Sequence, residues 1–264
     1  MGMVARQDGE RVYATERQQE ILARARQDGR VEVRELAESL DVTPETVRRD
    51  LTLLERRGLL RRMHGGAIPV ERLGIEPAVA DRETRMAGQK ERIAKAALDE
   101  LPDGGAVILD AGTTTVRLAE MLPTDRELTV VTHSLPIAML LATRPHITLH
   151  LLGGTVRGRT LAAVGAWTER ELRDIYADVA FLGTNGITAE RGLTTPDLGE
   201  AGVKRALVAA ARRTVVLTDH TKFGRADFAQ VASIEAVDTV ITDSGLEPAL
   251  ADEIEAFGPR VVRA

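Results

Sequence analysis

The sequence contains no cysteine, and this absence excludes several classes of site at once. A chain without thiols forms no disulfide, carries no iron–sulfur cluster or cysteine-ligated zinc, and has no thiol nucleophile. Such a chain suits a reducing compartment. We therefore expect a cytoplasmic protein that needs neither a metal nor another cofactor.

Long hydrophobic runs are also absent. The longest apolar stretches contain only a handful of residues, whereas a transmembrane helix needs about 20. Residues 1–15 lack the apolar core that a signal peptide requires. We expect no association with a membrane, and we expect a flexible arm over residues 1–14.

The chain as a whole has no excess of positive charge, since its formal net charge is −5. Charge must be counted by region, however, because only the docking face of a protein meets nucleic acid. Residues 44–66 contain six arginines and three acidic residues, which gives this segment a net charge of +3. The negative charge of the whole chain therefore does not exclude a nucleic-acid-binding face in this segment.

Residues 15–70 have the pattern of a small domain with three helices and a β-wing. Thr15 and Gln18 have capping-box spacing at the start of a first helix, and a second short apolar stripe follows it. Thr43 is placed to cap a third helix, with Pro44 at its first position, where a missing amide costs nothing. Residues 59–63 then read as a strand that enters a tight turn. We predict a linker over residues 71–90.

The third helix has adjacent arginines on the side opposite its apolar stripe. One arginine can make a bidentate contact to guanine while the other binds phosphate. Taken alone, exposed arginines are more simply a solvated face. Two short helices joined by a tight turn, with arginines in the first turns of the second helix, instead favour a helix-turn-helix. The predicted DNA-binding residues are Thr43, Thr46, Arg48, Arg49, Thr52, Arg61, His64 and Gly65.

Four stretches of this region closely resemble the DeoR family of repressors: RQQEIL at 17–22, LAESLDVT at 36–43, TVRRDL at 46–51 and GLLRRMHGGA at 58–67. The resemblance implies that the helix with Arg48 and Arg49 is the recognition helix. It also implies that His64 and the glycines after it belong to the wing.

Residues 91–264 alternate apolar strand-like runs with helical stretches, which is typical of an α/β domain with a mostly parallel sheet. Strands are predicted at 106–109, 128–131, 147–152, 179–182, 214–217 and 239–241, and helices at 116–122 and 201–211. Nearly every strand ends in a polar or glycine-rich cluster. Because ligands of open α/β sheets bind beyond the carboxyl ends of the strands, these clusters should converge on one pocket.

Residues 112–115 stand between a strand and a helix start, where free amides, hydroxyls and the helix dipole attract an anion such as phosphate. The alternative is that they only make a turn and cap the helix. Gly153 and Gly154 alone read as a turn, and Glu200 and Lys204 alone read as an exposed i,i+4 ion pair. The predicted effector-binding residues are Asp110, Gly112, Thr113, Thr114, Thr132, His133, Gly153, Gly154, Gly183, Asn185, Gly186, Glu200, Lys204, Asp219 and Lys222.

Residues 132–136, 185–186, 192–196 and 219–224 resemble the sensor domain of the same family. The resemblance implies a fold shared with ribose-5-phosphate isomerase and the CoA-transferases, and a phosphorylated sugar or related metabolite as effector. The sequence departs from the family pattern at two positions. His133 replaces a common Asn, which would alter effector choice or add pH sensitivity, and Thr221 replaces a common Ser and keeps its hydroxyl.

We therefore expect a repressor of a carbohydrate-metabolism operon that binds double-stranded operator DNA as a homodimer or homotetramer and responds to a phosphorylated effector. The sequence leaves open whether that effector is an inducer or a co-repressor. One alternative is a sugar-phosphate isomerase with an appended DNA-binding domain, in which Asp110, Glu200, Asp219 and Lys222 carry acid–base chemistry. Another is a DNA-binding activator without a ligand, which leaves the polar strand ends unexplained.

Overall fold

The computed structural model describes residues 7–28, 30–56, 59–63, 65–69 and 79–264. The chain divides into two compact units, Met1–Ile75 and Glu76–Ala264. Within the described ranges, no helix is both long and apolar enough to cross a membrane.

The first unit combines helices with a small antiparallel sheet. Its elements are α1 (Gln7–Asp28), β1 (Val31–Glu32), α2 (Val33–Ser39), α3 (Pro44–Arg56), β2 (Leu60–Met63) and β3 (Gly66–Pro69). Strand β3 lies between β1 and β2 and pairs antiparallel with both. This arrangement confirms the predicted winged helix-turn-helix.

The helices of the first unit pack on one apolar core. Leu51 and Leu54 of α3 meet Ile21 of α1 and Leu60 of β2, and each of these side chains is at most 2% exposed. The core therefore fixes which face of α3 turns inward and which turns to solvent.

The first helix begins earlier than expected. Helix α1 starts at Gln7, so residues 7–14 are helical and do not form the flexible arm that we expected; residues 1–6 lie outside the described residues. Thr15 lies inside the helix and is not its N-cap. The Gln18 amide bonds Asp50 of α3 instead of closing a capping box, because its Nε2 donates to Asp50 Oδ1 at 2.8 Å.

The second unit is an α/β domain. Its helices are α4 (Val79–Thr84), α5 (Ala87–Ala97), α6 (Thr113–Met121), α7 (Leu135–Leu141), α8 (Ala166–Leu172), α9 (Leu198–Ala209) and α10 (Pro248–Glu255). Its strands are β4 (Gly105–Leu109), β5 (Leu128–Thr132), β6 (Ile147–Leu151), β7 (Thr155–Arg157), β8 (Ala162–Val164), β9 (Val179–Leu182), β10 (Gly186–Thr188), β11 (Gly192–Thr195), β12 (Thr214–Leu217), β13 (Ala229–Ala232), β14 (Thr239–Thr242) and β15 (Arg260–Arg263).

The main sheet of this unit has seven strands in the order β15-β14-β12-β9-β4-β5-β6. Every neighbouring pair in it is parallel. Strands β10, β11 and β13 form a small antiparallel sheet, and β7 pairs with β8. All six predicted strands and both predicted helices are present, which confirms the α/β class with a mostly parallel sheet.

Both faces of the main sheet are covered. Val107 and Leu109 of β4 pack against the layer that contains α5, α6 and α7, whereas Ile108 faces the opposite layer, which contains Val203 and Leu207 of α9. Because the central strands β4 and β9 are buried on both faces, a ligand reaches them only at their ends. Strand order reverses between β4 and β9, and the crevice at such a point is the usual ligand position in this architecture.

The predicted linker over residues 71–90 extends too far, because its last part is folded into the second unit. Residues 70–78 lie outside the described residues, and residues 79–90 form α4 and the first turn of α5 in the second unit. Lys90 is only 6% exposed there. The high charge of this stretch suggested a linker, but Lys90 is held inside the fold by hydrogen bonds from its ammonium group to two carbonyl oxygens.

Candidate functional site

The exposed face of α3 carries the two predicted arginines. Arg48 and Arg49 side chains are 52% and 82% exposed, while Val47 beside them is fully buried. Thr43 caps the helix, since its Oγ1 accepts from the Thr46 backbone N at 3.2 Å. The cap and the buried stripe together fix the direction in which the arginines point.

A groove of about 430 Å³ lies along this face. Its lining residues are Glu45, Arg48, Arg49, Thr52, Leu53, Arg56 and Arg62. Thr52 Oγ1 donates to the Arg48 carbonyl at 2.8 Å and accepts from Arg62 Nη1 at 3.2 Å. Arg62 of the wing therefore joins the arginine face, although we had selected its neighbour Arg61.

The turn of the wing falls where the sequence predicted it. Gly65 has φ +80°, a left-handed value that favours glycine, and it separates β2 from β3. His64 and the side chain of Arg61 lie outside the described residues.

Asp50 is a residue that sequence reasoning missed. Its side chain is 7% exposed and accepts from Arg17 Nε at 2.6 Å and from Gln18 Nε2 at 2.8 Å. These bonds tie α3 to α1 directly behind the exposed arginines. The signal was available, because an acid among the apolar positions of an amphipathic helix must find a partner when it is buried.

In the second unit, polar residues from separate strand ends meet at the point where strand order reverses. Asp110 follows β4 and Gly183 follows β9, and Asp110 Oδ2 accepts from the Gly183 backbone N at 2.8 Å. The ammonium group of Lys204 on α9 donates to the same carboxylate oxygen and to the Gly183 carbonyl at 2.9 Å. Asp110 is 0% exposed and Lys204 is 4% exposed.

His133 closes the other side of this network and is 1% exposed. Its Nδ1 donates to the Ala163 carbonyl at 2.8 Å, because a carbonyl oxygen can only accept. Its Nε2 lies 3.0 Å from Asp110 Oδ1 and 3.2 Å from the Ala111 backbone N. Both ring nitrogens therefore face protein groups.

The charge state of Asp110 follows from these contacts. Burial raises the pKa of the Asp110 carboxyl, but the attraction of Lys204 and the hydrogen bond to His133 outweigh burial and lower the pKa to about 2. The carboxylate is therefore ionised throughout the physiological range and holds its partners in place.

Glu200 does not pair with Lys204, so the simple i,i+4 ion pair is wrong. Glu200 Oε1 accepts from Arg157 Nη1 at 3.1 Å, and Arg157 Nε lies 3.3 Å from Asp197 Oδ2. Glu200 is 4% exposed, because the β7–β8 hairpin that carries Arg157 packs on the start of α9. Arg157 is a further member of the polar cluster that the sequence did not indicate.

The remaining predicted positions fall into four groups. Gly112, Thr113 and Thr114 form the N-cap and first turn of α6, next to Asp110. Gly153 and Gly154 contact α8, since Gly153 N donates to Glu171 Oε2 at 2.8 Å and Thr168 Oγ1 donates to the Gly153 carbonyl at 2.6 Å.

The third group consists of Thr132, Asn185 and Gly186, and the side chains of the first two bond to protein groups. Thr132 Oγ1 donates to the Leu109 carbonyl at 2.7 Å, and Asn185 Oδ1 accepts from Thr195 Oγ1 at 3.1 Å. Gly186 begins β10 beside Asn185.

Asp219 and Lys222 occupy a short 3-10 turn after β12. Burial lowers the pKa of Lys90 to about 8, and the charges of Asp219 and Lys222 act on it in opposite directions. Lys90 Nζ also donates to the Arg85 carbonyl at 2.7 Å. The sequence analysis predicted Asp219 and Lys222 as effector-binding residues but placed Lys90 in the linker.

A histidine–aspartate pair lies beside this turn. His220 Nδ1 is 2.8 Å from Asp243 Oδ1, and the His220 backbone N donates to Asp243 Oδ2 at 2.9 Å. Burial raises the pKa of Asp243, but the bonds from His220 outweigh it and lower the pKa to about 2. The pair joins the ends of β12 and β14, which are neighbours in the sheet.

Comparison with known proteins assigns both units. Residues 17–72 match the DeoR-like helix-turn-helix domain, and residues 85–244 match the DeoR C-terminal sensor domain. The chain is 41% identical over 235 residues to the HTH-type transcriptional regulator GlpR of Haloferax volcanii, covering 89% of this chain and 91% of that protein. It is 33% identical over 230 residues to the glycerol-3-phosphate regulon repressor of Escherichia coli K12, covering 87% and 91% of the two chains.

Solved structures are more distant. Ribose 5-phosphate isomerase A from Methanocaldococcus jannaschii shares 20% identity over 51% of this chain and 53% of its own, with a TM-score of 0.37. A likeness at this level carries no argument about activity. The two domain matches and the similarity of nearly full-length regulators show that the chain belongs to the DeoR family of transcriptional regulators.

Proposed function

We propose that this chain is a repressor of a carbohydrate-metabolism operon that binds operator DNA with its first unit and is released by a phosphorylated sugar or related metabolite bound to its second unit. The observation that carries the proposal is the face of α3. It presents Arg48 and Arg49 side by side to solvent while its opposite face is locked into the core. Family membership adds a sensor domain to this DNA-binding face.

On the DNA side, one arginine reads a guanine edge in the major groove and the other contacts phosphate. The wing reaches the adjacent backbone or minor groove. We assign DNA contacts to Thr43, Thr46, Arg48, Arg49, Thr52, Arg61, His64 and Gly65, and we add Arg62 because it lines the same groove.

On the ligand side, we place the phosphate at the first turn of α6. Helix α6 begins at Thr113 after the N-cap Gly112, and the first backbone amides of a helix have no acceptor within it, so these amides and the helix dipole favour an anion there. We assign the positive charge of this site to Lys222, which follows β12, the neighbour of β9 in the main sheet. In this proposal the other predicted effector-binding residues line the rest of the ligand pocket.

Asp110, His133 and Lys204 have a supporting role in this proposal. Each already bonds another member of the network, and each is at most 4% exposed. We therefore assign them to the walls of the pocket, where they hold the ends of β4, β5 and β9 together. His133 acts through the position of Asp110.

We further propose that the chain binds its ligand without turnover. An isomerase needs an acid or base that exchanges protons with its substrate, whereas Asp110 and Lys204 are bound to each other inside the protein. Turnover assays with pentose and hexose phosphates should give no product above background. Product formation that is lost with Asp110→Asn would contradict this assignment.

In the cell we place the protein in the cytoplasm as a homodimer or homotetramer, because paired recognition helices match repeated operator half-sites. Sedimentation of the full chain, alone and with DNA, tests the assembly. A monomer on DNA at saturating protein would contradict it.

The repressor proposal is tested with a duplex selected from random DNA by the full-length protein. Its affinity is measured by mobility shift while sugar phosphates are titrated, beginning with glycerol 3-phosphate, which the name of one relative suggests. We expect at least one compound to weaken operator binding by about 5- to 150-fold, the usual range of allosteric coupling. If no compound in the panel changes the affinity, the sensor assignment is wrong.

The DNA face is tested by replacing Arg48 and Arg49 together with alanine. We expect specific binding to disappear while ligand binding in the second unit stays unchanged. The matched control replaces Arg170 and Arg173, two exposed arginines at the end of α8, and should bind DNA like the wild type. Loss of both activities in the first variant would indicate misfolding, and circular dichroism distinguishes that outcome.

A further inference from the structure

Glu45 is an acidic residue in the most basic part of the protein. It is the second residue of α3, its side chain is 64% exposed, and it lines the groove whose other charged members are all arginines. The N-terminal residues of a recognition helix are those that reach base edges. A carboxylate at this position repels phosphate, so it costs DNA affinity unless it gains a specific contact.

The pairing of Glu45 within the protein does not account for its presence. Its carboxylate lies 3.5 Å from Arg48 Nη1 and 4.0 Å from Arg49 Nε, and the three side chains are 64%, 52% and 82% exposed. Exposed ion pairs of this kind add little stability. The carboxylate instead stands between the two arginines, on the surface that the proposed function places against DNA.

A carboxylate in the major groove pairs with base amino groups, and it suits cytosine better than adenine because adenine places the acceptor N7 beside its amino group. Each of its oxygens only accepts hydrogen bonds, so it suits the exocyclic amino group of cytosine and is repelled by the acceptor edges of guanine and thymine. The arginines beside it only donate hydrogen bonds, so they require a base that presents acceptors, such as guanine with O6 and N7. The acid and the two arginines therefore read different bases within one short stretch of sequence.

We propose that Glu45 is a specificity-determining residue that accepts a hydrogen bond from a cytosine amino group next to the bases contacted by Arg48 and Arg49. This inference rests on the proposed DNA-binding function and extends it to base choice. The charge of Glu45 weakens binding to DNA of any sequence. The hydrogen bond to cytosine offsets this loss only where cytosine occupies one position of the site.

The test selects preferred duplexes from random DNA with the wild-type chain and with Glu45→Gln. The glutamine has nearly the same shape but carries no charge and offers both a donor and an acceptor. We expect the wild type to enrich cytosine at one position, and we expect the variant to accept adenine there as well while it keeps the positions read by the arginines. We also expect non-specific duplex DNA to bind the variant about 5-fold more tightly, the scale of one exposed charge interaction.

The matched control is Glu20→Gln on α1. Glu20 also forms an exposed ion pair with an arginine on its own helix, Arg24, at 2.7 Å. We expect its selected sequences to equal those of the wild type. Thermal unfolding of all three proteins shows whether any change in selection is only a change in folded fraction.

The outcomes separate the two claims. If the wild type enriches no sequence at all, the proposed DNA-binding function fails and this inference fails with it. If the wild type enriches a sequence but Glu45→Gln enriches the same one with the same preference at every position, the repressor assignment stands and the role of Glu45 is refuted.

Discussion

Replacement of Asp110 by asparagine is the sharpest test of the network at the strand ends. The substitution keeps the shape of the side chain and removes the charge that Lys204 and His133 surround. Lys204 would then be a buried cation without its counterion, since it is only 4% exposed. Removing one partner of a buried ion pair costs about 3–5 kcal/mol.

The lowered pKa of Asp110 predicts how this stabilisation depends on pH. The pKa of about 2 lies well below the ordinary aspartate value of about 3.9, and this difference corresponds to about 2.5 kcal/mol at pH 7. Because the folded-state pKa is the lower one, this contribution is fully present above about pH 5. It is lost as the pH falls toward 2, with about 1 kcal/mol already gone at pH 3.

The assay is urea unfolding of the full chain at pH 7 and at several values down to pH 3, followed by circular dichroism and by hydrogen exchange in β4 and β9. We expect Asp110→Asn to lower the free energy of unfolding of the second unit by about 3 kcal/mol at pH 7. The difference from wild type should shrink by about 1 kcal/mol at pH 3.

Asp103→Asn is the control, because Asp103 is fully exposed beside Arg126 and should change stability by less than about 0.5 kcal/mol. An Asp110→Asn protein that is as stable as the control at pH 7, or a difference that grows at low pH, would refute the account of this network.

The other predictions concern separate contacts. Asp50→Asn should lower the stability of the first unit by about 1.5–3 kcal/mol in urea unfolding, because the buried carboxylate bonds both Arg17 and Gln18; an unchanged midpoint would show that these bonds contribute nothing. The folded-state pKa of Lys90, about 8, lies below its ordinary value, so relative to Lys90→Met the wild type should gain about 2.5 kcal/mol of unfolding free energy between pH 8 and pH 10.4. A flat difference across that range would contradict the burial of a charged Lys90. Gly66→Ala should destabilise the wing, because its Cβ would lie 2.1 Å from the Val31 carbonyl oxygen, whereas Gly88→Ala meets nothing within 4 Å and should be neutral or slightly stabilising in thermal unfolding.

The sequence predicted the architecture well because its elements follow local rules. The apolar spacing on α3, the Thr43 cap and the tight turn at Gly65 each depend on neighbouring residues only. The same holds for the parallel strands, whose short apolar runs end in polar clusters. Local rules failed at α1, where Gln18 finds a partner on α3 that no sequence pattern indicates.

The sequence predicted where the polar cluster lies better than it predicted which residues bond to each other within it. Strand ends brought Asp110 and Gly183 together as expected, because parallel strands end at the same edge. The partners within the cluster depend on long-range packing. Glu200 bonds Arg157 across 43 positions, and Lys204 bonds Asp110 across 94. Spacing along one helix suggested a pair between Glu200 and Lys204 that tertiary contacts replaced.

The central claim is that a phosphorylated ligand in the second unit controls DNA binding by the first. It is tested most directly by fluorescence anisotropy of a labelled operator duplex, titrated with effector for the wild type and for Lys222→Met. We expect the wild type to release DNA as effector is added, and operator DNA to weaken effector binding by the same factor, as thermodynamic linkage requires. Lys222→Met should bind the duplex like the wild type and respond only at much higher effector concentration. A Lys222→Met protein that responds like the wild type, or a wild type that no phosphorylated compound releases, would contradict the account.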